Sequence, residues 1–189
     1  MSAVDLSGDI ALIALFLLTT NILLGLLIST RYSPVRNWPH RQINIFKLHN
    51  WTGYIALCVA VLHPIVLLFS KTAGFHVRDI VFPIWSPSQP LENTLGAIAL
   101  YCVVVVVITS YYRTELGRQT WKRLHYLAYV SAAFFFTHGL LTDPHLQGNP
   151  FDPLDSEKIF VELCLLVVAA ATALRIVYGL RKRKHKGAR

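Results

Sequence analysis

The chain has 189 residues, 54% of them apolar, with 18 Lys and Arg against 10 Asp and Glu and a formal net charge of +8. That length suits one domain, and the apolar content with a positive mean hydropathy excludes an ordinary soluble one. The elements to look for are therefore runs of about 20 apolar residues, enough to cross roughly 30 Å of hydrocarbon.

Five such runs occur, at about 10–28, 50–69, 94–112, 124–141 and 159–178. Each predicts a helix, because an isolated strand cannot satisfy its backbone in lipid. The expected fold class is all-α: a polytopic membrane bundle of five transmembrane helices. It forms a single domain over 1–189 with a basic tail at 179–189. No Lys or Arg precedes the first run, only Asp5 and Asp9, and no small-residue cleavage pattern follows it. It reads as a retained helix rather than a signal peptide.

The positive charges are segregated. Arg31, Arg36, Arg41 and Lys47 lie between spans one and two, and Arg113, Arg118, Lys122 and Arg123 between three and four. "RKRKHKGAR" follows the fifth span, whereas the alternate side carries Lys71, Arg78 and Lys158 among many acids. This pattern predicts an N-terminus outside and a C-terminus in the cytoplasm. The net charge of +8 thus points to anionic lipid at the cytoplasmic face, not to nucleic acid. The tail is also a candidate dock for an acidic soluble partner. Cys58, Cys102 and Cys164 fall singly in three spans and read as small buried apolar residues.

Spans two and four each carry two histidines: His49 and His63, fourteen apart, and His125 and His138, thirteen apart. Ionisable residues inside spans are costly and rare. One imidazole can serve as an interhelical hydrogen-bond link, but four in two pairs ask for a shared explanation. The two spans run parallel, so His49 and His125 share one depth and His63 and His138 another, roughly 20 Å away at 1.5 Å per residue. Two facing imidazoles at each level point to bis-histidine axial ligation of haem iron in a helix bundle. A bare Zn or Cu site would ask for three or four converging ligands. Fourteen residues return to within about 40° of the starting face, but thirteen leave a mismatch of about 140°. Span four is then distorted, or the haems approach it from different sides.

Gly53, Ala132 and Ala133 are candidate small surfaces for a flat macrocycle, or simply for close helix approach. Arg41, Lys47, Arg118 and Arg123 are candidates to pair with haem propionates beside their orienting role. The outer loops contribute His76, Arg78, Asp79 and Trp85, then Asp143, His145, Asp152 and Asp155. His76 and Arg78 suit an anionic ferric chelate or oxygen, and the acids suit cations; polar loops and an interfacial Trp read equally well as ordinary surface. A proton or metal transporter would want charges near mid-span, and the span centres hold no Asp, Glu, Lys or Arg.

The stretches "HNWTGYIALCVAVLH" and "GRQTWKRLHYLAYV", with the four-histidine spacing, resemble the ferric reductase-like transmembrane domain. That domain is shared by iron(III) reductases, NADPH oxidases and the haem membrane subunit of bacterial methionine-sulfoxide repair. The resemblance spans about residues 10 to 180. It implies two stacked b-type haems, ligated by His49 with His125 and by His63 with His138. It also implies electron flow from a cytoplasmic reduced flavin through inner and outer haem to an outer acceptor. The sequence contains no GxGxxG and no P-loop, so a separate flavoprotein is the expected partner for flavin and NAD(P)H. The repair subunit's pattern has no histidine at the place of His49, which draws this chain toward the ferric reductases. The alternative is a haem-bearing subunit passing electrons to a periplasmic oxidoreductase or a quinone. The expected location is a bacterial inner (plasma) membrane.

Overall fold

The computed structural model describes residues 2–30, 44–71, 73–143 and 156–187. Among the described residues there are seven α-helices: α1 Ala3–Thr30, α2 Ile45–Leu67, α3 Val77–Val81, α4 Pro90–Tyr111, α5 Arg113–His125, α6 Leu127–Leu141 and α7 Ser156–Gly187. No strand occurs among the described residues. Among the described residues five stretches are long and apolar enough to cross a membrane: α1, α2, α4, α5 running into α6, and α7 to Leu180. The all-helical, five-span expectation holds. Arg41, His145, Asp152 and Asp155 lie outside the described residues.

Helix boundaries follow local chemistry. Asn44 caps α2, its side chain accepting the Lys47 N–H at 3.1 Å. Pro90 opens α4 at a position where no backbone donor is needed. The preceding Gln89 has φ +47°, and its side chain clasps the end of α6: Nε2 donates to the Asp143 carbonyl at 2.9 Å and Oε1 accepts the Asp143 N–H at 2.8 Å.

Span four differs from its expected form. Residues 113–123, which the apolar runs place between spans three and four, form most of α5, which bends at Gly117 where φ is +73° and favours glycine. The helix then breaks at Tyr126, directly after His125. The Tyr126 N–H bonds the Arg123 carbonyl at 3.3 Å and the Tyr129 N–H bonds the Tyr126 carbonyl at 3.0 Å. Such three-residue hydrogen bonds overwind a helix by about 20° per residue, which supplies part of the rotation that thirteen-residue spacing lacks. Of the two ways out of the phase mismatch, span four takes the distortion.

The core lies between α1, α4, α6 and α7, where Leu15, Ala99, Ala132, Phe135, Phe136 and Val161 are buried. Phe16, Trp51 and Leu174 are more than half exposed on the outside of the bundle, as lipid-facing residues should be. Helix α2 packs chiefly on α1, and α6 chiefly on α4. Helices α2 and α6 therefore do not pack closely on each other, which leaves space between them for their side chains.

The segment between α2 and α4 is pinned by one carboxylate. Asp79 is only 2% exposed; its Oδ2 accepts the His76 N–H at 2.9 Å and its Oδ1 lies 3.3 Å from Arg78 Nε. The His76 N–H, followed by the Arg78 charge, holds the carboxyl below its ordinary value of 3.8. A depressed folded pKa means that this contribution is present at neutral pH and is lost only as pH falls below 3.8. Asp79→Ala should therefore release the segment at neutral pH, read as faster trypsin cleavage after the exposed Arg78. Unchanged cleavage would show that the cap does not hold it. His76 and Arg78, read as candidates for an anionic ligand, both face Asp79.

Candidate functional site

The fold brings the four histidines together in the expected pairs. His49 and His125 have ring centroids 6.3 Å apart with planes at 70°. His63 and His138 have centroids 6.4 Å apart with planes at 64°. The first pair lies at the end of the bundle bearing Lys47, Lys122 and Arg123, the second toward the opposite end. Fourteen residues of α2 separate the levels by about 21 Å.

Each ring is held from behind by another helix. His63 Nδ1 donates to the Ser7 carbonyl at 2.9 Å, and the Ser7 hydroxyl donates to the His63 carbonyl at 3.0 Å. His49 Nδ1 donates to the Asn21 carbonyl at 3.1 Å, while Asn21 Nδ2 donates to the His49 carbonyl at 2.6 Å and to Thr52 Oγ1 at 2.8 Å. On the facing side, His138 Nδ1 donates to the Glu92 carbonyl at 2.8 Å. His125 Nδ1 lies 3.2 Å from Ser110 Oγ, which also accepts from Trp121 Nε1 at 3.3 Å.

This pattern fixes the chemistry of the rings. A carbonyl oxygen can only accept, so in His49, His63 and His138 the proton sits on Nδ1. In a neutral imidazole the Nε2 lone pair is then available. Every hydrogen bond that these four rings make among the described residues runs through Nδ1. The interhelical-link reading therefore accounts for one nitrogen per ring and leaves the other. Fixing Nδ1 to a carbonyl is how proteins orient a metal-ligating histidine.

The spacing bears on what fits between the rings. An imidazole nitrogen lies about 1.2 Å from its ring centroid and bonds a first-row metal at about 2.0 Å, so an imidazole–metal–imidazole axis sets the centroids about 6.4 Å apart. Both pairs have that separation. No group of three or more His, Cys, Asp or Glu side chains converges on a metal position among the described residues.

Glycines make room for two of the rings. A Cβ on Gly96 of α4 would stand 3.0–3.1 Å from three atoms of the His138 ring, and one on Gly25 of α1 would stand 3.3 Å from the His49 ring. Beside the second pair lies a cavity of about 210 Å³, walled by Ala11, Leu15, Leu100, Val103 and Phe135. An apolar wall with imidazoles in it suits a flat apolar macrocycle. The residues present thus fit haem.

Other expected small surfaces fall elsewhere. Gly53 faces Asn21, whose Nδ2 would lie 3.3 Å from an added Cβ. Ala132 is packed in the core and Ala133 is exposed. Among the basic candidates, Lys47, Arg118 and Arg123 are exposed near the first pair, and no ion pair engages them among the described residues.

Ser7 and Asn21 were missed as site residues, although the sequence carried a signal. They are polar residues on span one spaced fourteen apart, the spacing of His49 and His63 on the antiparallel partner. Asn21→Leu removes two donors that tie α1 to α2 and should destabilise the fold by about 1 kcal/mol, in the range of interhelical hydrogen bonds in membranes. Unfolding in mixed detergent micelles checks this; no loss of stability would show that the pairing is not limiting.

These features define an integral membrane helix bundle with imidazoles paired at two levels. Residues 10–136 match the family described as ferric reductase like transmembrane component, and the chain belongs to that family. His49, His63 and His125 lie inside the matched stretch, and His138 lies just beyond it. The family is generally haem-binding, and its function class is electron transfer in membranes. No curated protein and no solved structure matched the chain.

Proposed function

We propose that this chain is a di-haem membrane cytochrome b that carries electrons across the bilayer. The inner haem is held by His49 and His125 and the outer by His63 and His138. The observation that carries this reading is the pair of imidazole couples, each spaced for one metal atom and anchored through Nδ1. Two ligands per level, with no third side chain converging among the described residues, suit a metal whose other four positions come from a macrocycle. Haem iron, when bound, takes up and releases single electrons without a change of ligands.

The protein's part is to hold the rings still and exclude water. The backbone carbonyls of Ser7, Asn21 and Glu92 fix the tautomers of His63, His49 and His138, and Ser110 orients His125. Helices α1, α4 and α7 close the apolar surround. The segregation of Lys and Arg supports the His49–His125 level as the cytoplasmic one and the termini as outside and inside. Family domains of this kind typically work with a flavin domain or partner. The donor proposed is a reduced flavin on a separate cytoplasmic flavoprotein, and the acceptor lies on the outer side of a bacterial inner membrane.

Proteoliposomes test the function. With a reduced-flavin system outside and ferricyanide trapped inside, vesicles bearing the chain should bleach the ferricyanide while empty vesicles do not. Loss of bleaching in both His49→Ala and His138→Ala supports the two-level relay. Bleaching that survives either change contradicts it.

A further inference from the structure

Lys158, near the start of α7, is only 6% exposed and lines the same cavity as His63 and His138. Its Nζ donates to the Gly139 carbonyl at 3.1 Å and to the Thr142 carbonyl. These oxygens belong to the last turn and C-cap of α6, the negative end of the helix dipole. Such terminal carbonyls lack helical partners, so they can hold a buried ammonium that would otherwise be costly. Thr142 also reaches the imidazole, since its hydroxyl donates to the His138 carbonyl at 2.8 Å and lies 3.1 Å from His138 Nδ1. One residue thus contacts both the ammonium and the ligand.

The two levels differ in this respect. At the first pair the nearby cations Lys47, Lys122 and Arg123 are exposed, where solvent and salt screen them. At the second pair a cation is fixed inside the protein, among cavity walls that also include Asp79, Asp143 and Glu157. Adding an electron to an iron site removes one positive charge from it. A fixed cation nearby therefore favours the reduced form, and neighbouring carboxylates oppose it.

We propose that Lys158 is a positioning and tuning residue whose fixed charge holds the reduction potential of the outer haem above the value that site would have without it. This rests on the two-haem reading. The inference concerns charge, which separates it from a role in capping α6 alone.

The test is a spectroelectrochemical titration of the purified full chain with both haems, compared with Lys158→Gln, Lys158→Met and Lys158→Arg. Gln keeps an amide donor for the α6 carbonyls without the charge; Met loses both; Arg keeps the charge. At a fixed ambient potential, Gln and Met should each lower the reduced-to-oxidised ratio of the outer haem roughly tenfold, the size exerted by a unit charge about 10 Å away at an effective dielectric constant near 20. That is a shift of about 59 mV for one electron. Arg and the inner haem should stay close to wild type. Stability lost in Met but kept in Gln, with both haem potentials unmoved, overturns the inference and leaves Lys158 as a helix cap. Equal shifts of both haems also overturn it. A wild-type protein without two low-spin haems overturns this inference together with the reading beneath it.

Discussion

Replacing either histidine of one pair by alanine should cost one haem of two, and the two pairs should fail independently. His63→Ala and His138→Ala are expected to give the same product, a protein retaining only the inner haem, and His49→Ala and His125→Ala its counterpart. The expectation follows from geometry. Each couple has the centroid separation expected of two imidazoles sharing one metal, so loss of one ring would remove half of what would hold that haem and leave a cavity where the ring stood. A double change within a pair should be no worse than a single one, because the second partner has already lost its function. A double change across pairs should remove both haems. This non-additivity separates paired ligands from four independent packing residues, whose effects would simply add. Haem content per chain, measured as the pyridine haemochrome, reads it. Four variants that all retain two haems would refute the assignment.

The second large effect is expected at Gly96. A Cβ there meets Cε1 of His138 at 3.0 Å and both ring nitrogens at 3.1 Å, closer than side chains ordinarily tolerate. The ring cannot easily yield, because its Nδ1 is held by the Glu92 carbonyl at 2.8 Å and lies beside the Thr142 hydroxyl at 3.1 Å. Gly96→Val should displace His138 and remove half of the bound haem, leaving the inner haem's spectrum intact. Gly25→Ala, whose Cβ would stand 3.3 Å from the His49 ring, should be far milder and act on the other haem. Full retention of both haems in Gly96→Val would mean that the imidazole does not occupy its present position when loaded.

Much of this arrangement was legible in the sequence, because a membrane leaves few options. The five spans follow from apolar runs long enough to cross lipid, and their helical form from the need to satisfy the backbone. The pairing of His49 with His125 and His63 with His138 follows from equal depth on two parallel spans. What the sequence hid was set by local backbone and by contacts between distant residues. The Tyr126 break cannot be read from "LHYLAYV", which carries no Gly or Pro; its effect appears only as the thirteen-residue spacing that a straight helix would not use. Helix α5 was concealed because its basic residues read as orienting charges between two spans. Gly53, a candidate for a haem surface or for close helix approach, lies against Asn21 of α1, while Gly25 and Gly96, which do face imidazoles, are indistinguishable in sequence from glycines that ease helix packing. Lys158 was read as an ordinary charge beyond the membrane; only the fold brings it under the last turn of α6.

The carbonyl anchors deserve the same reading. Glu92 acts through its backbone oxygen, and a backbone oxygen carries no signature in sequence. Ser7 and Asn21 differ, since their side chains also bond α2 and polar side chains along an apolar helix signal a partner.

The most direct test of the central claim is the optical spectrum of the purified chain, air-oxidised and then dithionite-reduced, with haem quantified per polypeptide after expression with ample haem supply. Two low-spin b-type haems per chain, with sharp reduced α and Soret bands, are the predicted result. A protein that folds and yet binds no haem, or only one, would contradict the two-level cytochrome and leave at least one histidine pair as a link between helices.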